Sequence, residues 1–107
     1  VKKLSINEEI FLLAIWFLAD EAYGVKIQKK IRKITGHTFL FGTLYNTLDN
    51  LVKKGYVHTW KGEATPQRGG NNKVFYALTK DGRLALQKAR ELHDSLWAGV
   101  PRNAFNR

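Results

Sequence analysis

The chain has 107 residues, 44% of them hydrophobic and 25% charged, with no cysteine and a net charge of +9. That length makes one domain the default, the missing cysteines exclude disulfides and thiolate metal sites, and the longest apolar run, residues 10–19, falls well short of the ~20 residues of a membrane-spanning helix. A cytoplasmic protein with no membrane partner is expected, with a core small enough that a dimer interface would add needed burial.

Ser5-Ile6-Asn7-Glu8 has the form of a capping box, a Ser cap with Glu three residues later, and opens a first helix reaching about Asp20. From residue 10 to 19 this helix is apolar on every side, so burial all round is expected, part of it against a second subunit. Tyr23-Gly24 marks a turn. Residues 25–35 form an amphipathic second helix with Ile27, Ile31 and Ile34 as its apolar stripe, Lys26, Lys29, Lys30, Arg32 and Lys33 over much of the rest, and Thr35-Gly36 as its end. A short link, residues 37–41, leads to a third helix. There Leu44, Leu48, Leu51 and Val52 fall at i, i+4, i+7 and i+8 and must face a core. Thr43, Asn46, Thr47, Asn50, Lys53 and Lys54 fall on the other side, and Gly55 stops the helix. Short helices joined tightly, the last with an outward polar face, make a helix-turn-helix.

Two strand-like runs follow, residues 56–60 and 73–78, rich in aromatic and β-branched residues. Between them Gly, Pro, Asn and Thr mark a loop. Such a hairpin after three helices is the wing of a winged helix. Thr79 caps a last helix with Asp81 in its first turn. Ala85, Ala89, Leu92 and Leu96 line one stripe of it, and Leu86, His93 and Trp97 a neighbouring one. That stripe needs a partner, either the first helix or its own symmetry mate. The fold class is therefore mainly α with a small β-hairpin: a winged helix-turn-helix over residues 1–78, a dimerisation helix over 79–100 and a frayed tail over 101–107.

These residues resemble the PadR family of bacterial winged-helix transcriptional regulators over about residues 8–97. The resemblance rests on Leu12-Leu13-Ala14-Ile15, on Ala22-Tyr23-Gly24, on Gly42-Thr43-Leu44-Tyr45 with Leu48 and Leu51, and on Lys54-Gly55. Arg68-Gly69-Gly70, Tyr76-Ala77-Leu78-Thr79 and Gly82 complete it. It implies a winged helix with a C-terminal dimerising helix, of the compact subfamily, in a homodimer that represses transcription. Some members of the family respond to phenolic acids or drug-like compounds. The family often has several basic residues after the wing Gly-Gly, where this chain has Asn71-Asn72-Lys73, so weaker phosphate clamping is expected there.

Charge agrees with a DNA partner. Residues 1–21 are net acidic, whereas residues 22–58 set seven bases against Asp49. A basic block of that kind is the footprint of a nucleic-acid surface, although a solvated basic face has the same composition. Asn46 and Asn50 are candidates for base edges, Asn matching adenine, or are ordinary solvated amides. Thr43 and Thr47 extend that face, unless Thr43 is the N-cap of the helix. By the resemblance Tyr45 is a recognition-helix tyrosine that reaches DNA; packing beside Leu44 is the other reading. Lys53 and Lys54 meet phosphates or offset the helix dipole. Arg68 and Lys73 on the wing are candidate backbone or minor-groove contacts, or solvated loop charge, and Lys26, Lys29 and Lys30 on the second helix are a mixture of phosphate contacts and solvated charge.

Leu13, Trp16 and Phe17 on the first helix and Ala85, Ala89, Leu92, Leu96 and Trp97 on the last are the candidate dimer seam. Trp16 and Trp97 would stack on a small aromatic effector there, or simply pack. His37, His58 and His93 share no ligand spacing, so no metal is expected. No cofactor motif and no catalytic constellation is present, and an enzyme is not expected. The sequence points to a double-stranded DNA operator as partner and to a homodimeric repressor; the alternative is a winged-helix module that docks protein without specific DNA binding.

Overall fold

The computed structural model describes residues 3–62 and 73–106. The first helix, α1, spans Ile6–Leu18. Its capping box is complete: Glu8 N–H donates to Ser5 Oγ at 3.1 Å and Ser5 N–H donates to Glu8 Oε1 at 2.8 Å. Phe11, Leu12, Ala14 and Ile15 are buried, but Leu13 is exposed, Trp16 is 58% exposed and Phe17 54%. Burial all round, expected from composition, is therefore not met within one chain. A domain this small has only enough mass to cover one side of the helix. After Leu18 the chain enters a 3-10 turn at Ala19–Glu21, with Ala19 at a positive φ of 52°.

Helix α2, Gly24–Thr35, starts at the glycine itself rather than after a turn. Ile27 and Ile31 are buried, but Ile34, expected in the same stripe, is exposed because it lies in the last turn, beyond the packed part of the helix. Helix α3 spans Phe41–Lys53, with Leu40 as its N-cap residue. Thr43 is thus two residues inside the helix, and the N-cap reading of Thr43 is overturned. Leu44, Leu48 and Leu51 are fully buried and Val52 packs at the edge of the core. Gly55, at φ 80°, lets the chain reverse: its N–H donates to Val52 O at 3.0 Å and the Tyr56 N–H to Leu51 O at 3.1 Å. That bond pair is a Schellman cap, and it satisfies carbonyls the helix end would otherwise orphan.

Strands β1, Val57–Lys61, and β2, Val74–Leu78, pair antiparallel with Val57 opposite Leu78 and Lys61 opposite Val74. The hairpin is tied to the start of α2 by the Tyr76 N–H, which donates to Ala22 O at 2.8 Å, and by a bridge between Tyr23 and Phe75. Helix α4 spans Lys80–Trp97, and Thr79 Oγ1 accepts the Gly82 N–H at 3.0 Å as its cap. The same hydroxyl donates to Gly55 O at 2.6 Å, joining the end of α3 to the start of α4. Gly82 and Ala85 are the buried residues of α4, whereas residues 91–97 all face solvent in the single chain. His93 Nε2 and Glu9 Oε1, 2.9 Å apart, link α4 to α1. Beyond α4, Phe105 packs edge-on against Trp97 with ring centroids 6.3 Å apart.

Candidate nucleic-acid interface

The two faces of α3 separate as its periodicity requires. With Leu44, Leu48 and Leu51 inside, Thr43, Asn46, Asn50, Lys53 and Lys54 are exposed on the opposite side. Among the described residues no hydrogen bond engages the side chains of Asn46 and Asn50, so both amides keep donor and acceptor for a ligand. Thr47 is half-buried, and its hydroxyl donates to Thr43 O at 2.8 Å, which leaves it only lone pairs to offer.

Tyr45 is partly exposed and partly packed. It is 41% exposed, yet its ring lies over the start of α2: a Cβ at Gly24 would come 2.1 Å from its hydroxyl oxygen. The ring also stacks on Phe41, with centroids 6.1 Å apart and planes at 23°. Gly24 and Tyr45 thus form one contact, which brings the Tyr23-Gly24 and Leu44-Tyr45 pairs together.

The basic residues are placed less freely than the sequence implied. Lys26 Nζ is 2.6 Å from Glu21 Oε1; that hydrogen bond holds the Glu21 carboxyl below the usual carboxylate range and raises the Lys26 ammonium. Lys73 Nζ lies 3.8 Å from the centroid of the Tyr23 ring, a cation–π contact at the loop end of the hairpin. Lys54 is ion-paired with Glu8, 46 residues away in sequence. Burial pushes the Glu8 carboxyl up, but hydrogen bonds from Lys54 and Ser5 and the charge of Lys54 outweigh it and hold that carboxyl low. Arg68, with Gly69-Gly70 and Asn71-Asn72, lies outside the described residues.

A polar cleft of about 470 Å³ joins the two ends of this region. Ser5, Asn7 and Glu8 form one wall and Thr47, Asn50, Lys53 and Lys54 the other. The sequence reading missed the first three. A capping box accounted for Ser5 and Glu8 locally, and nothing in their spacing announces a partner on α3.

A second cleft, of about 590 Å³, runs between α1 and α4 and is more apolar in its walls. Leu13, Trp16, Phe17 and Leu86 line it, with Arg83, Arg90, Gln87, Glu9 and His93 at its edges. Trp16 packs edge-on against Phe17, centroids 5.1 Å apart. Trp97 does not line this cleft, so one chain does not bring the two indoles together. Of the residues expected at a seam on α4, Ala85 is buried, Ala89 half-buried, and Leu92, Leu96 and Trp97 exposed. Among the described residues no three His, Asp or Glu side chains gather as metal ligands, and no helix is long and apolar enough to cross a membrane.

The sequence profile described as "Transcriptional regulator PadR-like family" matches residues 12–88. No curated protein matches the chain. Among solved structures, RosR of H. salinarum is similar at 27% identity and a TM-score of 0.71, covering 94% of this chain and 83% of that one. A transcriptional regulator from Clostridium thermocellum is similar at 25% identity and a TM-score of 0.68, covering 94% and 92%. F93 from STIV, a winged-helix DNA-binding protein, shares the fold at 23% identity and a TM-score of 0.62, covering 94% and 98%.

Proposed function

The chain belongs to the PadR-like family of transcriptional regulators, and from that premise we propose that it is a sequence-specific repressor that binds double-stranded DNA as a two-fold homodimer. The observation that carries this reading is the division of α3: three buried leucines anchor it, and Thr43, Asn46, Asn50 and Lys53 point outward from a rigid helix. Amides on such a helix suit base edges in the major groove, and the lysines suit phosphates. Tyr45, Thr47 and Lys54 border that face, and Lys26 and Lys73 extend it toward α2 and the wing; Arg68 belongs to the same proposed set.

The homodimer is supported by the apolar side chains that one chain leaves exposed, Leu13, Trp16 and Phe17 on α1 and Leu92, Leu96 and Trp97 on α4; Ala85 and Ala89 belong to the same proposed seam. A small aromatic effector fits the cleft at Trp16, where an indole face and apolar walls meet two arginines. Trp97 would contribute to that site only across the seam.

The test is selection of duplexes from a random library, followed by titration of the selected and a scrambled duplex at several salt concentrations. The selected duplex should bind tighter, and both affinities should fall steeply with salt. Asn46→Ala should cost about 1–3 kcal/mol on the selected duplex and little on the scrambled one. Equal affinity for all duplexes with a flat salt response would instead favour a protein-docking module.

A further inference from the structure

The polar cleft beside α3 contains one carboxylate among its lining residues, and that group comes from another helix. Glu8, in the first turn of α1, divides its two oxygens: Oε1 accepts the Ser5 N–H within the capping box, and Oε2 takes Lys54 Nζ. Lys53, Asn50 and Thr47 line the same cleft. The group paired with Lys54 is thus an anionic oxygen, the same acceptor chemistry that a DNA phosphate offers. The Glu8 carboxyl is held below its usual range, so it is ionised at neutral pH.

We infer that Glu8 is a specificity-determining residue, an internal carboxylate that competes with DNA phosphate for Lys54. The inference rests on the DNA-binding reading above. Phosphate contacts supply essentially all of non-specific binding, each adding to the counterions released. An internal partner for Lys54 therefore withholds one such contact from random DNA. A partly exposed ion pair is worth only about 0–1 kcal/mol. When base contacts fix the duplex against α3, they hold a phosphate at the cleft and offset the loss of the Glu8 pair, a loss that random DNA must bear without them. Base recognition is untouched, so the ratio of specific to non-specific affinity rises.

Glu8→Gln removes the charge and keeps the capping box, because Gln serves at that position as Glu does. The probe is a mixed-sequence duplex titrated over a range of salt. Glu8→Gln should bind it more tightly than wild type, with the slope of log affinity against log salt steeper by about 0.9. In a Lys54→Ala background the same substitution should do no more than a change of net charge elsewhere on the molecule. Glu91→Gln, an equal change of charge on exposed α4, measures the effect of net charge alone, and Glu8→Gln must exceed it. A Glu8→Gln gain no larger than that of Glu91→Gln, or an excess over that control that survives Lys54→Ala, overturns the inference while leaving the DNA reading intact. Failure of wild type to bind any duplex at low salt overturns the DNA reading, and this inference with it.

Discussion

Gly24 and Tyr45 show how one residue's absence of a side chain sets another's position. The ring of Tyr45 fills the space a Cβ at position 24 would need. Gly24→Ala should therefore destabilise the protein by about 1–3 kcal/mol through overpacking, despite alanine's better helix propensity. In a Tyr45→Ala background the same substitution should be neutral or stabilising. Urea unfolding of the four variants checks this; an equal cost in both backgrounds would remove the steric account. This coupling was not legible in the sequence. Tyr23-Gly24 looked like a turn and Tyr45 like a contact residue, because pairing across 21 positions leaves no local period. Asn46 and Asn50 were legible as outward residues, since their spacing against Leu44, Leu48 and Leu51 is set by the helix alone. Lys54 was legible as a base but not as a paired one.

At the scale of elements, caps and stops were the most readable features, because each depends on two or three adjacent residues. The Ser5–Glu8 box, the Gly36 and Gly55 stops and the Thr79 cap all stand where composition put them. Burial of α1 was not readable, because a helix apolar all round carries no mark of which side its own chain covers. The start of α1 is also tied to the end of α3 by Glu8 and Lys54, and this tie has a pH signature. The folded-state carboxyl lies below its ordinary value of 4.5. The stabilisation from that lowering is therefore fully present above pH 4.5 and is lost as pH falls through the folded-state value. For a pair whose lysine is half-exposed the loss should be about 0.2–1 kcal/mol. Urea midpoints measured from neutral pH downward should fall further for wild type than for Glu8→Gln. Parallel acid limbs would show that the pair contributes nothing to folding.

As a whole molecule the chain is elongated, 54 × 32 × 22 Å, since α4 runs on past the domain that caps it. An 18-residue helix is about 27 Å long, and its last two turns expose Leu92, Leu96 and Trp97, as α1 exposes Leu13, Trp16 and Phe17. Two copies would cover these surfaces for each other. Leu96 is 65% exposed in one chain, so Leu96→Asp should leave the fold intact. In a dimer it would bury an unpaired charge, and dissociation should increase roughly tenfold or more. Light scattering at micromolar concentration checks both: wild type should have the mass of two chains, and the variant should tend to that of one. Two-fold symmetry would then present two copies of the α3 face to one duplex. Hydroxyl-radical footprinting of a selected duplex measures that arrangement most directly. Two protected stretches about one helical turn apart, roughly 34 Å, related by a dyad and fading as salt rises, are predicted. A single protected stretch, or none at low salt, would contradict a dimer that reads DNA through α3.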